Sequence, residues 1–328
     1  MRAWVAEPAR HTLTLQERPL PVPAPGEVVI EVIACGVCRT DLHVLDGDIP
    51  AHRPDVVPGH QVVGRVVELG RDIRRLGLGD LVGAAWLRST CGVCRWCRTG
   101  RENLCPSSLY NGWDADGGFA ERMTLPEAYA YPLADDTDAA ATAPLLCAGI
   151  IGFRALQRAG LPPGGRLGLY GFGSSAHITA QLALSAGAQV YAITRGERNR
   201  RLARALGLTF VGDEDAEPPA RLDSAIVFAP AGPIVPQALR ATAAGGTVVV
   251  AGIHLSDVPS MSYERELFHE RDLRSVTANT RADGEAFLRV ARQLTVSPRV
   301  TTYSFDEVGQ ALDALRSGRS SGSLVVSM

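Results

Sequence analysis

The amino-acid sequence predicts an α/β protein that combines a doubly wound parallel sheet with a second, β-rich domain. Three observations support this prediction. Residues 1–140 contain short β-type runs separated by Gly and Pro, the pattern of an irregular and mostly antiparallel β-domain. From about residue 145 the pattern alternates strand, helix, strand, helix, which is typical of a parallel sheet with helices on both faces. A glycine-rich turn joins the first strand of that alternation to its helix.

Length and charge limit the classes of protein that this chain fits. A chain of 328 residues is long enough for two domains, each with its own apolar core. A net charge of -2 gives no basic surface of the kind that binds nucleic acid or an anionic membrane. The N-terminus lacks the apolar core of a signal peptide, and no run approaches the roughly 18 apolar residues of a spanning helix. We therefore expect a cytoplasmic protein whose thiols stay reduced and whose partners are small molecules, with no nucleic acid and no membrane.

The strands of the β-rich part follow a loop that contains Pro21, Pro23 and Pro25, whose fixed backbone makes the entry stiff. Three apolar runs bounded by glycine predict strands in this part. They are GEVVIEVIACGV, VVGRVVELG and GDLVGAAWL.

In the second part, short apolar runs predict buried strands, and apolar residues at helical spacing predict the helices between them. The predicted strands are RLGLYGF, QVYAIT, LDSAIVFAP, TVVVAGI and DLRSVTAN. The predicted helices are SSAHITAQLALSAGA, which has Gly187 near its end, ERNRRLARALG and VPQALRATAAGG. A further helix, ADGEAFLRVARQL, and a final strand, GSLVVSM, complete the sequence.

The glycine-rich turn has the pattern G-x-G-x-x-G/A, which is weak evidence alone but follows a predicted strand and opens a predicted helix here. Its residues are Gly171, Phe172, Gly173, Ser174, Ser175 and Ala176. The glycines allow a tight turn and a close approach to the backbone, and the helix N-terminus offers N–H groups to a pyrophosphate. The pattern predicts a dinucleotide site; a turn without a ligand is the alternative.

The residues about 20 positions further on bear on the choice of dinucleotide. An NAD site normally has an Asp or Glu there for the ribose 2′-hydroxyl. This sequence has Thr194 and Arg195 instead, with Arg198 and Arg200 just beyond. An arginine in place of the carboxylate suits a 2′-phosphate, so the sequence favours NADP(H) over NAD(H). The alternative is that Arg195 is a solvated surface charge.

Four cysteines lie within the fifteen residues CGVCRWCRTGRENLC, with the spacing C-x2-C-x2-C-x7-C. They are Cys91, Cys94, Cys97 and Cys105. Two-residue gaps let successive thiolates converge on one ion, and four thiolates in a reducing compartment indicate tetrahedral structural zinc. An iron–sulfur cluster also uses four cysteines, although its usual spacings differ. A redox C-x-x-C pair would leave two thiols unexplained.

The sequence resembles the zinc-dependent medium-chain alcohol dehydrogenases, and the resemblance runs essentially from end to end. The motifs that carry it, in the order of that family, are CGVCRTDLH, PGHQVVG, CGVCRWCRTGRENLC, DGGFAERM, PLLCAGI and GFGSSA. The resemblance implies a GroES-like catalytic domain of residues 1–145 and 282–328, a Rossmann dinucleotide-binding domain of residues 146–281, and an active site between the two.

By the same resemblance, Cys38, His60 and Cys147 hold a catalytic zinc and leave one coordination position open for water or substrate. Asp41 lies behind the ligating histidine and fixes its tautomer. One departure from the family pattern is Gln61, which stands where a glutamate is usual. The amide keeps a similar shape and an oxygen lone pair but lacks the negative charge. Cys35 matches no ligand position and is interpreted as a packed thiol.

The resemblance assigns roles to five more residues. Thr40 and His43 form a relay that carries a proton away from the substrate oxygen. Arg39 contacts the pyrophosphate of the cofactor. Trp86 and Trp113 are interpreted as walls of a narrow apolar pocket suited to small primary alcohols, with ordinary core tryptophans as the alternative.

The function that follows is zinc-dependent transfer of hydride between an alcohol, small or primary, and a nicotinamide cofactor, with two zinc ions per chain. A polyol or secondary-alcohol dehydrogenase of the same family is the alternative. A relative that binds zinc without turnover is a third reading, against which the presence of all the ligands argues. The resemblance also implies a homo-oligomer, a dimer or tetramer, with the DLRSVTAN strand near the subunit interface.

The relay leads to a prediction for Thr40→Val, which removes the hydroxyl and keeps the shape of the side chain. We expect this variant to retain its zinc and to lose most of its turnover, because the proton then lacks its first acceptor. Metal content and steady-state rates measure the two effects. Near-normal activity in Thr40→Val would dismiss the relay.

Overall fold

The computed structural model describes residues 1–7, 11–50 and 52–328, and the chain divides into two compact units. The first unit consists of Met1–Cys147, Ala278–Ala286 and Arg299–Met328, and the second of Ala148–Thr277 and Phe287–Pro298. The sequence-based boundary after residue 281 assigned Phe287–Pro298 to the wrong unit. This segment belongs to the second unit because the ring of Phe287 packs on Phe153, with centroids 5.7 Å apart, and Gln181 exchanges two hydrogen bonds with the main chain of Ser297.

The strands are numbered in chain order. They are β1 (Arg2–Glu7), β2 (Thr12–Glu17), β3 (Glu27–Val37), β4 (Gln61–Leu69), β5 (Leu81–Ala84), β6 (Leu87–Ser89), β7 (Leu109–Tyr110), β8 (Arg122–Pro126), β9 (Tyr131–Pro132), β10 (Arg166–Tyr170), β11 (Gln189–Ile193), β12 (Phe210–Gly212), β13 (Leu222–Val227), β14 (Thr242–Val250), β15 (Asp272–Ser275), β16 (Val300–Ser304) and β17 (Ser323–Ser327).

The helices are numbered in the same way. They are α1 (Arg39–Asp46), α2 (Arg95–Arg98), α3 (Ala139–Thr142), α4 (Ala148–Ala159), α5 (Ser174–Ser185), α6 (Glu197–Ala205), α7 (Ile234–Ala241), α8 (Arg281–Gln293) and α9 (Val308–Arg316). Short 3₁₀ helices cover Glu102–Leu104, Glu127–Tyr129, Ala143–Leu146 and Phe305–Glu307, and a π-helical turn covers Tyr263–Leu267. Among the described residues, no single helix has the length and apolar composition of a membrane span, although one bent pair, Ala139–Leu146 with Ala148–Ala159, meets these criteria jointly.

The first unit is built on a seven-stranded sheet in the order β16-β17-β3-β4-β5-β9, with β8 also paired to β3. All of its pairings are antiparallel except β16 with β17. Most residues of the long strand β3 are buried, and its apolar side chains form the core with those of β4. The run GDLVGAAWL does not form one strand, because β5 pairs with β4 whereas β6 pairs with β7 in a separate two-stranded sheet. Trp86 lies between them.

The second unit has a six-stranded sheet in the order β12-β11-β10-β13-β14-β15, and every pairing in it is parallel. Strands β10, β11, β13 and the end of β14 are apolar and buried because helices cover the sheet, whereas β15 at its edge is largely exposed. From β10 the sheet extends through β11 to β12 on one side. From β13, which is next to β10, it extends through β14 to β15 on the other side. The carboxyl ends of the strands at this reversal are where open α/β sheets bind ligands.

A partly buried ion pair fastens the start of α8 inside the first unit. The carboxylate of Glu102 accepts a hydrogen bond from the Arg281 main-chain N–H at 2.8 Å and further bonds from its guanidinium at 2.7–3.2 Å. Burial opposes ionisation of Glu102, but these hydrogen bonds outweigh it and lower the pKa of the carboxyl. The same guanidinium lies 4.8 Å above the ring of Tyr129.

We expect Glu102→Gln to lower the free energy of unfolding by about 1–3 kcal/mol, because hydrogen bonds to a charged group are lost from a mostly buried site. Urea unfolding measures the change. The matched control is Glu68→Gln at an exposed position of β4, which is expected to change stability by less than about 0.5 kcal/mol. Equal effects of the two substitutions would contradict the role of the ion pair.

Candidate active site and metal centres

Three side chains from distant parts of the chain meet in the first unit. Cys38 precedes α1, His60 precedes β4, and Cys147 follows the 3₁₀ helix at Ala143–Leu146. Their sulfur and nitrogen atoms all lie within 4.8 Å of one another. The His60 Nε2 atom is buried and has no hydrogen-bond partner among the described residues, a costly state for a polar atom. Two thiols and an unsatisfied imidazole nitrogen are the donor set of an open zinc site, so the residues fit such an ion.

Asp41 fixes the orientation of the histidine. One carboxylate oxygen lies 3.1 Å from His60 Nδ1 and accepts the Gly59 N–H, and the other accepts the Cys38 N–H at 2.7 Å. This places the proton on Nδ1 and points the Nε2 lone pair at the thiols. Burial lowers the pKa of His60, but the charge and hydrogen bond of Asp41 outweigh it and raise the pKa to about 10. A metal ion bound at Nε2 would replace the second proton of the imidazolium ring, the proton on Nε2.

The two thiols differ in their affinity for a proton. A hydrogen bond from Cys147 holds the pKa of Cys38 well below its ordinary value, and the same bond together with burial raises the pKa of Cys147. The pair therefore resembles a thiolate and a thiol that share one proton. Cys35 is buried apart from both, and a Cβ placed on Gly59 would lie 2.8 Å from its sulfur.

Gln61 is the first residue of β4, and its side chain is buried. Its Oε1 atom has no hydrogen-bond partner among the described residues. The amide packs over Gly36, where an added Cβ would lie 3.0 Å from it. The residue after His60 thus carries a neutral carbonyl oxygen, where the usual glutamate would carry a negative charge.

The relay residues share a face of α1, because Thr40 and His43 are three positions apart. Both are mostly buried, and the Thr40 hydroxyl lies 3.6 Å from the Cys38 sulfur. His43 Nδ1 lies 2.8 Å from a carboxylate oxygen of Asp48. Sequence reasoning missed Asp48, although an acidic residue just after a helix that ends in histidine is a signal that could have indicated it.

The four cysteines of residues 91–105 also converge, with their sulfur atoms within 4.8 Å of one another. Cys97 Sγ lies 3.6 Å from Cys94 Sγ and 4.0 Å from Cys91 Sγ. These separations exclude disulfides and match the edge of about 3.8 Å in a tetrahedron with zinc–sulfur bonds of about 2.3 Å. Main-chain N–H groups of Cys94 and Val93 lower the pKa of Cys91 to about 6. The cluster is thus suited to a closed, all-thiolate metal site.

The dinucleotide pattern forms the predicted turn between β10 and α5. Gly171 has φ +85°, and a Cβ there would lie 2.8 Å from the Ala229 nitrogen, so only glycine fits. Gly173 precedes α5 and faces open space, where a Cβ would meet nothing within 4 Å. Ser174 and Ser175 form the first turn of α5 and are half-buried. The turn therefore leaves room for a phosphate group above the helix N-terminus.

Thr194 and Arg195 follow β11 at the same edge of the sheet. Thr194 is buried, and its hydroxyl accepts a hydrogen bond from the Phe172 N–H at 3.1 Å, so it supports the glycine turn. Arg195 is mostly exposed, and its guanidinium lies 3.8 Å from the carboxylate of Glu214. An exposed pair at this distance holds the side chain weakly. Arg39, the first residue of α1, is exposed as well.

Both predicted pocket tryptophans belong to one aromatic cluster beside the metal ligand. The indole of Trp86 meets His60 edge-on, with ring centroids 4.8 Å apart. It also stacks on Tyr110 at 4.9 Å and on Trp113 at 5.9 Å. His52 stacks on the outer side of Trp113 at 4.1 Å. Sequence reasoning missed Tyr110 and His52, because nothing in their spacing connects them to the tryptophans.

Comparisons with known proteins agree with this geometry. A family model described as the alcohol dehydrogenase GroES-like domain matches residues 24–135, and one described as zinc-binding dehydrogenase matches residues 176–293. The "Probable alcohol dehydrogenase AdhA" of Mycobacterium tuberculosis is 53% identical over 94% of this chain and 90% of its own length.

Solved structures give the same result. A cobalt- and zinc-bound thermostable alcohol dehydrogenase from Pyrobaculum aerophilum superposes with a TM-score of 0.90 at 27% identity, over 100% of this chain and 99% of that one. A cinnamyl alcohol dehydrogenase from Sorghum bicolor gives 0.91 at 27% identity, over 99% and 97%.

A GroES-like unit with a three-ligand metal site and a dinucleotide-binding unit together define a zinc-binding dehydrogenase. The chain belongs to the zinc-dependent alcohol dehydrogenases of the medium-chain dehydrogenase/reductase family, and it is an oxidoreductase of that class. The expected fold class and family are thereby confirmed.

Cys97→Ser tests the four-cysteine cluster. We expect this variant to bind one metal ion fewer per chain than the parent and to melt at least about 5 °C lower, because the residues around the cluster lose their cross-link. Elemental analysis and thermal unfolding measure the two effects. The control is Cys35→Ala, which removes a buried thiol outside both metal sites and should leave the metal content unchanged. An unchanged metal content in Cys97→Ser would rule out a metal at this cluster.

Proposed function

We propose that the protein oxidises small primary alcohols to aldehydes, and reduces aldehydes in reverse, with zinc and NADP(H). The observation that carries this proposal is the buried Nε2 atom of His60, which has no hydrogen-bond partner among the described residues and belongs to a group of ligand atoms, with two thiols, that all lie within 4.8 Å of one another. A polyol or secondary-alcohol substrate is the alternative within the family. The aromatic cluster over His60 favours small apolar alcohols, because it offers few polar groups to a polyol.

A zinc ion held by Cys38, His60 and Cys147 would supply Lewis acidity to the substrate oxygen, and a bound nicotinamide would accept or deliver the hydride. The residues of the chain orient these groups and move the proton. Asp41 keeps the imidazole in the tautomer that presents Nε2. Thr40 offers a hydroxyl that both accepts and donates a proton, at 3.6 Å from a ligand sulfur.

The proton then needs a second carrier. His43 lies one turn further along α1, and an imidazole has one ring nitrogen that can accept a proton and one that can donate it. Its contact with Asp48 orients the ring. The expected direction of travel is from the substrate oxygen through Thr40 to His43 and then to solvent.

The four-cysteine cluster supports a second, structural zinc ion. Its separations of 3.6 and 4.0 Å between sulfur atoms suit four-coordinate zinc without an open position. Such an ion would organise residues 91–105, which contain only two short helical segments. Two zinc ions per chain follow, one catalytic and one structural.

NADP(H) is the proposed cofactor because Arg195 stands where a carboxylate would hold the ribose of NAD(H). Its weak contact with Glu214 at 3.8 Å leaves the guanidinium available to a 2′-phosphate. Gly171, Gly173 and the N-terminus of α5 would hold the pyrophosphate, together with Arg39.

The proposed assembly is a homo-oligomer, a dimer or tetramer, in the cytoplasm. β15 is the last strand of the six-stranded sheet and is largely exposed, so its free edge is open to pairing with a second copy. Exposed Phe268 and Leu273 lie beside this edge in the sequence. A molar mass of one chain by light scattering would contradict the oligomer.

The decisive experiment measures zinc content and steady-state rates in both directions with NADP⁺, NAD⁺ and their reduced forms. The panel contains ethanol, 1-hexanol, 2-propanol, sorbitol and the matching aldehydes. We expect two zinc ions per chain, alcohol-dependent reduction of NADP⁺ in preference to NAD⁺, and faster rates with primary alcohols. His60→Ala should lose one zinc ion and all measurable turnover. A preference for sorbitol or 2-propanol would favour the alternative, and one zinc ion without turnover would favour a non-catalytic relative.

A further inference from the structure

A buried charged network that takes no part in the proton relay lies next to the aromatic cluster. Arg88, on β6, is 7% exposed, and its guanidinium pairs with the carboxylate of Glu27. It also donates to the Thr124 carbonyl at 2.7 Å, to the Thr124 hydroxyl at 2.9 Å and to Asn111 Oδ1 at 3.1 Å. A buried guanidinium with this many partners has one well-defined position.

Asn111 connects this network to the backbone around Trp86. Its side chain is fully buried, its Nδ2 atom donates to the Ala85 carbonyl at 2.8 Å, and its main-chain N–H donates to the Trp86 carbonyl at 2.9 Å. An arginine only donates and a carbonyl only accepts, so the amide has a single orientation that satisfies both neighbours. One residue therefore holds the peptide groups on both sides of the Trp86 Cα atom.

The residue held in this way touches the metal centre. The Trp86 ring lies 4.8 Å from the ring of His60 with a 73° angle between the planes. Tyr110, which ends β7 and precedes Asn111, stacks on the same indole with an angle of 24° between the planes. A shift of Asn111 therefore moves two rings of the cluster relative to a metal ligand.

We propose that Asn111 is a positioning residue for substrate selection, which fixes the Trp86 and Tyr110 rings against His60 and thereby sets the size of alcohol that the site accepts. The expected changes in KM and kcat/KM rest on the proposed function. Arg88 acts through Asn111, because it fixes which end of the amide faces the Ala85 carbonyl. Truncating or misorienting this amide releases the peptide groups on both sides of Trp86, so that its ring can shift against His60 without the loss of a metal ligand.

Asn111→Asp tests the proposal, because it keeps the shape of the side chain and removes the donor to Ala85. We expect unchanged zinc content, a changed near-ultraviolet circular dichroism spectrum from the stacked rings, and a rise in KM for ethanol of about tenfold with kcat within about threefold. The ratio of kcat/KM for 1-hexanol to that for ethanol should rise about tenfold. Arg88→Lys, which keeps the charge but not the fork, should shift both measurements in the same direction by a smaller factor.

Glu102→Gln is the matched control. It is expected to lower the stability of the first unit through the ion pair of Glu102 with Arg281, which includes neither Asn111 nor Arg88. It should lower the melting temperature and leave both the spectrum and the substrate ratio as in the parent. The proposal is overturned if Asn111→Asp and Arg88→Lys lower the melting temperature but leave the spectrum and the ratio unchanged. If the parent shows no alcohol-dependent turnover, the proposed function fails, whereas the spectrum still tests the positioning of the rings. If Asn111→Asp does not fold, Arg88→Lys decides by the same two measurements.

Discussion

The carboxylate of Asp41 is the contact on which the metal centre depends. Its two oxygens accept main-chain N–H groups of Cys38 and Gly59 and contact the ring of His60, so one side chain sets two ligands at once. The N–H bonds also explain how a nearly fully buried carboxylate is tolerated so close to a cysteine thiolate. The hydrogen bonds of one side chain thus help to arrange the candidate ligands within the first unit.

The two candidate metal sites differ in a way that follows from their surroundings. The three-ligand site has one fully buried member, an unsatisfied nitrogen and an aromatic ring in edge contact with its histidine. The four-cysteine site lies in an exposed segment with little regular structure, and main-chain N–H groups stabilise its thiolates. A buried site with an open coordination position is suited to catalysis. Four cysteine ligands near the surface are suited to a structural metal ion that cross-links the segment.

Much of this arrangement was predictable from local patterns. The alternation after residue 145 predicted β10, α5, β11 and α6, because each element contains its own apolar period. The cysteine spacing predicted the cluster at residues 91–105, since its ligands are close in sequence. The three-ligand site was predicted by the resemblance alone, because Cys38, His60 and Cys147 have no common spacing.

Other features depend on long-range contacts that no local pattern contains. The hairpin β1–β2 and the three-residue strand β12 are too short or too polar to stand out. Helix α4 begins directly after a metal ligand, without a capping signal. The assignment of Phe287–Pro298 was wrong because the ring contact with Phe153 joins residues far apart in the sequence. Asn111 was missed for the same reason, since only the folded chain brings it to Trp86.

The hydrogen bond from the Phe172 N–H to the Thr194 hydroxyl has a consequence for cofactor exchange. It joins the glycine turn to the end of the neighbouring strand, so it restricts the conformations that the turn can adopt. A preformed turn gives up little conformational entropy when a dinucleotide arrives, which strengthens association without additional contacts. Selectivity between the two dinucleotides then depends on the ribose end of the ligand alone, since the diphosphate meets the same rigid surface in both.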